Sequence, residues 1–143
     1  MPTPGVKVRI DRFWRAIRRL REFSDVSKES FIKNDDKIDA AERNLQVSIE
    51  AMIDVGEFLI SYMKWETPKS YREIAEILNK HGVLDNEMRE EFVDLVRIRN
   101  IIVRNYVYLS PENIYSYSKR TIEGLTNLMK KILIFMANNN IDP

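Results

Sequence analysis

The residues whose type and spacing suggest chemistry lie in the fourth helical segment, read from an N-cap at Asp85 to about Tyr108. At 100° per residue, Phe92, Leu95, Val96, Ile102, Val103 and Tyr106 form one apolar stripe, and Arg99 falls in its middle. A guanidinium on a core face is costly unless it is paired, so Arg99 demands a carboxylate, a carbonyl, an interface or a phosphate. Asn100 follows it and is able to donate to a phosphate, while Arg104 falls to one side, beside Asn100 and Arg97. Tyr106 stands two turns beyond Arg99 on the same face, an apolar body with a polar tip.

Other chemistries are poorly supplied. The 143 residues include no Cys, which excludes disulfides and thiolate metal sites, and a single histidine, His81. His81 precedes Gly82 in a helix-ending loop, where a plain surface role is expected. The second segment, from about Asp36 to Trp65, offers an acid for Arg99. Its main apolar side holds Leu45, Ile49, Met52, Gly56, Leu59 and Met63, and a second strip is formed by Val47, Ala51 and Phe58. Asp54 lies inside that second strip, placed to face Arg99 or a residue across a dimer interface, with Glu57 at its edge. A helix with two apolar sides is central or touches another chain.

These residues are positioned by long helices. The hydrophobic fraction of 44% and charged fraction of 31% describe a globular chain, and the length suits one domain over residues 1–143. Five helical segments are predicted. The first runs from about Val8 to Phe23, and residues 24–35 are ambiguous. A capping box at Ser70–Glu73 opens the short third segment, which stops at His81-Gly82. Ser110-Pro111 opens the fifth, which continues to about Asn138, and the remaining residues look frayed. Long helices with short connections predict an all-α, up-and-down bundle of four to five helices. No apolar run reaches the roughly 18 residues of a membrane span, and the first residues lack the apolar core of a signal peptide, so a cytoplasmic protein is expected.

Net charge is only +1, yet residues 1–21 hold seven basic groups against Asp11. Ile10, Phe13, Trp14, Ile17 and Leu20 share one side of that helix, with Arg12, Arg15 and Arg19 opposite. Such a row either is a solvated face or attracts a phosphate backbone, as in RNA.

The segment Arg99-Asn100-Ile101-Ile102-Val103-Arg104-Asn105-Tyr106 resembles the signature of the HEPN superfamily, an Arg followed after four to six residues by His. In the HepT family a Tyr stands two places after that His. Ala41–Glu57 and Pro68–Ile74 are also similar to HepT, and the resemblance covers roughly residues 36–110. It implies a HEPN-type bundle that dimerises through the signature helices. It further implies a metal-independent endoribonuclease toxin of a type VII, HepT/MntA-like system, needing no cofactor. The implied partner is an MNT-type nucleotidyltransferase antitoxin that adds AMP to the signature tyrosine. By the resemblance, Arg99 is the catalytic arginine, Asn100 the polar residue after it, and Tyr106 the modified tyrosine. Arg104 stands where the family has His. A histidine exchanges protons near neutral pH, whereas an arginine stays charged and serves instead to bind phosphate. Two functions are therefore open: a ribonuclease toxin of reduced activity, and a catalytically inactive HEPN dimer that binds RNA or the nucleotidyltransferase.

Overall fold

The computed structural model describes residues 5–104 and 109–143, and among them every regular element is an α-helix. There are six: α1 (Lys7–Ser24), α2 (Lys28–Ile32), α3 (Asp35–Met63), α4 (Tyr71–Lys80), α5 (Asn86–Arg104) and α6 (Pro111–Asn138). The sixth element is α2, in the stretch whose sequence pattern was ambiguous. Ser27 caps it by accepting from the Ser30 amide. Phe31 is fully buried against the ring of Tyr115, whose hydroxyl donates to the Val26 carbonyl at 2.8 Å. One aromatic anchor thus orders a segment with too few apolar residues to show a period.

The helix starts follow local chemistry. Asn34 and Asp85 accept from backbone amides three residues on, and Ser110 and Asn113 form a reciprocal capping box. The box expected at α4 is displaced by one residue. Ser70 accepts from the Glu73 amide, but the Glu73 carboxylate takes the Lys69 amide rather than that of Ser70. α3 ends at Met63, just short of the expected end near Trp65, because Lys64 turns left-handed (φ 58°). The last residues are not all frayed: Ile141 is buried and its amide donates to the Met136 carbonyl at 2.9 Å.

α3 is the central helix, packed by α1, α4, α5 and α6. Leu45, Ile49, Met52, Val55 and Leu59 fill its core side, meeting Phe13, Leu20, Phe92, Leu95 and Met129 in one apolar cluster. α1 runs antiparallel to α3, with Arg9 near its start ion-paired to Asp54 and the short α2 link at its other end. Gly56 lets α4 approach α3 closely: a Cβ there would lie 3.1 Å from Ile74 and 3.2 Å from Leu78.

α4 is also clasped at its far end. His81 stacks on Trp65 with ring centroids 3.9 Å apart, and Trp65 meets Phe135 of α6 edge-on. The Glu66 carboxylate joins His81 Nε2 and Lys80 Nζ, each at 2.7 Å. His81 is therefore part of a loop-to-loop clasp rather than the plain surface residue its position suggested. Hydrogen bonds from Lys80, from the Glu66 backbone amide and from His81 hold the Glu66 pKa at about 2, below its ordinary 4.5. A carboxylate depressed in this way stabilises the fold fully above about pH 4.5, and that contribution fades as pH falls towards 2. Glu66→Gln is expected to lower stability at pH 7, with the gap from the parent closing between pH 4.5 and 2. Urea midpoints across that range test this, and a gap of constant size contradicts it.

Candidate active site

α5 carries the signature residues and packs against both α3 and α4. Its buried residues are Phe92, Leu95, Val96, Ile98 and Ile102. The buried arc is therefore turned towards Ile98, away from Val103, which was expected in the core stripe and is 41% exposed. Arg99 stays within the arc, its side chain only 18% exposed. The partner such a cation requires is Glu50 of α3, whose Oε1 accepts from Arg99 Nε at 3.2 Å and from Gln46 Nε2 at 3.1 Å. Asp54, expected to face Arg99 or a residue across a dimer interface, lies one turn further along α3 and within the chain is taken by Arg9 at 2.8 Å. Glu57, another turn on, is exposed to solvent. The correction has a simple cause: helix period places Glu50 and Asp54 on one face, and the level at which α5 crosses α3 chooses between them.

Two further groups complete the setting of Arg99. Its Nη1 donates to Asn100 Oδ1 at 3.0 Å, and its guanidinium carbon lies 5.2 Å from the centroid of the Tyr71 ring. Tyr71 is the first residue of α4 and is 39% exposed. Nη2 has no hydrogen-bond partner among the described residues, so this edge retains donors for an incoming anion.

Asn100 and Arg104 face a different way. With Arg72 and Arg97 they line an open groove of about 420 Å³ whose apolar wall is Val93, Val96 and Ile101. Arg97 is held by Asp94 at 2.6 Å, an acid that also binds Arg120 at 3.2 Å, and the Asp94 hydrogen bond raises the Arg97 pKa. Arg72 pairs with Glu76 at 3.4 Å. The signature is thus split: Arg99 points to α3 and Tyr71, Arg104 to the groove, and Asn100 touches both settings. Residues 71–72 divide in the same manner, Tyr71 beside Arg99 and Arg72 in the groove. Tyr106 lies outside the described residues.

The arginine row of α1 is solvent-exposed at Arg12, Arg15 and Arg19, and Arg19 pairs with Glu22 at 2.8 Å. Glu50, Tyr71 and Arg72 were not singled out from the sequence. A signal for Glu50 was present, since Gln46, Glu50 and Asp54 recur every four residues on a side of α3 that also carries apolar residues.

An all-α bundle with Arg99 and Asn100 adjacent on one helix is the arrangement that the HEPN resemblance of this segment implies. The family model described as "Ribonuclease HepT-like" matches residues 14–132, and the chain belongs to that family. A tRNA nuclease HepT from Aphanizomenon flos-aquae is 23% identical over 112 residues, covering 77% of this chain and 75% of that protein. Among solved structures, the tri-AMPylated Shewanella oneidensis HEPN toxin in complex with MNT antitoxin aligns with TM-score 0.81 at 21% identity, over 93% of this chain and 99% of that one. YutE from Bacillus subtilis, a cytosolic protein of unknown function, aligns with TM-score 0.78 at 20% identity, over 94% and 90% of the two chains. At such identities these structures speak for the shared fold.

The Arg99–Glu50 contact predicts a measurable cost. Glu50→Ala leaves a half-buried guanidinium without its carboxylate and is expected to lower stability by about 1–3 kcal/mol. Glu50→Gln keeps an acceptor and should lose less. Equal urea midpoints for the parent and Glu50→Ala would contradict the pairing.

Proposed function

We propose that this chain is the cytosolic toxin of a HepT/MntA-like type VII toxin–antitoxin pair and acts as an endoribonuclease on RNA. The observation that carries the reading is Arg99, held by Glu50 and Asn100 with Nη2 unpaired among the described residues, next to a groove lined by Arg72, Arg97 and Arg104. In RNA cleavage the ribose 2′-oxygen attacks the adjacent phosphorus, giving up its proton as the new P–O bond forms. The bond to the 5′-oxygen breaks, and that oxygen takes up a proton. Arg99 would hold the phosphate and offset the charge that builds on its oxygens. Asn100 would donate its remaining amide hydrogens to the same phosphate. In this scheme Arg104 binds phosphate but stays protonated and transfers no proton, so cleavage is slow.

The functional unit is a homodimer that buries part of the Arg99–Tyr106 face, on the side of α5 where Val103 is exposed. A two-fold axis there brings both copies of Arg99 to one cleft. The partner is an MNT-type nucleotidyltransferase antitoxin, and Tyr106 is its acceptor for AMP. The second reading, a catalytically inactive dimer that keeps RNA or nucleotidyltransferase binding, is favoured by one residue, Arg104.

Kinetics separate the two readings. Restoring a titratable group with Arg104→His should raise cleavage by about 10²–10⁴-fold with little change in RNA affinity. Arg99→Ala should weaken both. A natural protein that already cleaves rapidly and gains nothing from Arg104→His contradicts the assigned role of position 104. The partner assignment has its own test. Co-expression with a nucleotidyltransferase encoded beside this chain should yield a peptide carrying AMP on Tyr106, and a fully unmodified peptide removes this chain from that scheme.

A further inference from the structure

α1 carries more cations than its fold consumes, and their placement is not even. Arg9, Arg12, Arg15 and Arg19 fall within a sector of about 120° around the helix, one per turn, over a rise of about 15 Å. The α6 side of α1 is marked by other residues: Lys7 and Ile10 line a cleft with Leu133 and Met136, and Arg21 and Ser24 line one with Lys119. The α3 side is marked by Arg9, which reaches Asp54. The arginine row therefore continues along the α3 edge of α1.

That edge leads to the candidate active site. Asp54 holds Arg9 and Glu50 holds Arg99, and the two acids are one helical turn apart on the same face of α3, a rise of about 6 Å. α1 and α5 thus flank one partly exposed face of the central helix. Because α1 runs antiparallel to α3, the row passes the level of Glu50 between Arg12 and Arg15 and continues beyond it to Arg19. Two of its members are partly neutralised, Arg9 by Asp54 and Arg19 by Glu22. Arg12 and Arg15 are exposed and take part in none of the ion pairs of α1. Burial does not account for them, since the core side of the helix is supplied by Phe13, Ala16, Ile17, Leu20 and Phe23.

We infer that this row is a phosphate-backbone rail: it grips RNA phosphates across the width of α3 from the bond held at Arg99. The inference rests on the ribonuclease reading and adds the class of RNA the protein prefers, one long or structured enough to reach along α1. A row of about 15 Å spans roughly four phosphates of a helical strand, matched in sign and length by four guanidinium groups. Contacts of this kind set register and affinity but read no sequence.

The test uses the full chain, the triple variant Arg12→Gln/Arg15→Gln/Arg19→Gln, and the matched triple lysine variant. Two probes are compared by fluorescence anisotropy over a range of salt: an RNA hairpin of about 30 nucleotides, and a tetranucleotide too short to leave the Arg99 site. The glutamine variant should bind the hairpin about tenfold or more weakly near 0.1 M salt, with the slope of log affinity against log salt reduced by about two. Its affinity for the tetranucleotide should fall far less. The lysine variant should keep the salt slope, because phosphate attraction needs the charge rather than the guanidinium. Circular dichroism should show equal helicity in all three. Unchanged hairpin affinity and slope in the glutamine variant overturns the rail and leaves the row to an acidic protein surface. An equal loss on both probes also overturns it, placing these arginines in the cleft itself. A parent chain that binds neither probe removes the ribonuclease reading and the rail together, whereas loss of binding in Arg99→Ala alone preserves the former and rejects the latter.

Discussion

A guanidinium inside a helical bundle must be answered by a carboxylate, and the pairing of Arg99 with Glu50 meets that demand. The contact joins α5 to the central helix at a chosen level. Slide α5 by one turn and Arg99 meets a different part of α3, while Phe92, Leu95 and Ile98 leave their places in the core. Apolar packing supplies most of the cohesion between these helices, but it is tolerant of register. The ion pair is directional and short-ranged, so it specifies which of several similar packings is adopted.

The surroundings of the pair are built to keep the arginine partly free. Glu50 is bound on one side by Gln46, so a single carboxylate oxygen serves two donors. Tyr71 covers the guanidinium without using its hydrogens, and α4, which brings Tyr71, is held by the close approach at Gly56 and by the Trp65–His81–Glu66 clasp. Structural economy alone would have buried a leucine at position 99. A cation retained there at the cost of a matching acid, with Nη2 unpaired among the described residues, fits the phosphate-holding role proposed for it.

Much of this architecture was legible in the chain. The stripe on α5 exposed Arg99 as an anomaly, the two apolar sides of α3 marked it as central, and the caps at Asp85 and Ser110 fixed two helix starts. What was missed depended on tertiary register. Helix period put Glu50 and Asp54 on the same face but carried no information about the level of crossing, so the intrachain acid for Arg99 was not fixed by the sequence. Val103, expected in the core stripe, lies outside it while Ile98 is buried, because a helical wheel gives relative angles and only packing sets which direction is inward. The α2 segment stayed ambiguous because one buried phenylalanine and a distant tyrosine order it, and neither produces a local period. His81 looked idle because its stack with Trp65 joins two loops far apart in sequence. For Arg104 the departure from the HEPN pattern was visible at once, and its place in a groove apart from Arg99 required the fold.

Asn100 deserves a separate thought, because one amide serves two surfaces. Its oxygen accepts from Arg99, and its side chain lines the groove with Arg72, Arg97 and Arg104. An occupant of the groove that recruits this amide withdraws an acceptor from Arg99, and an anion seated on Arg99 changes what Asn100 offers to the groove. The two surfaces therefore report on each other, and thermodynamic linkage makes the influence equal in both directions. A single asparagine gives α5 the means to register whether its outer face is covered, and to convey that state to the arginine behind it.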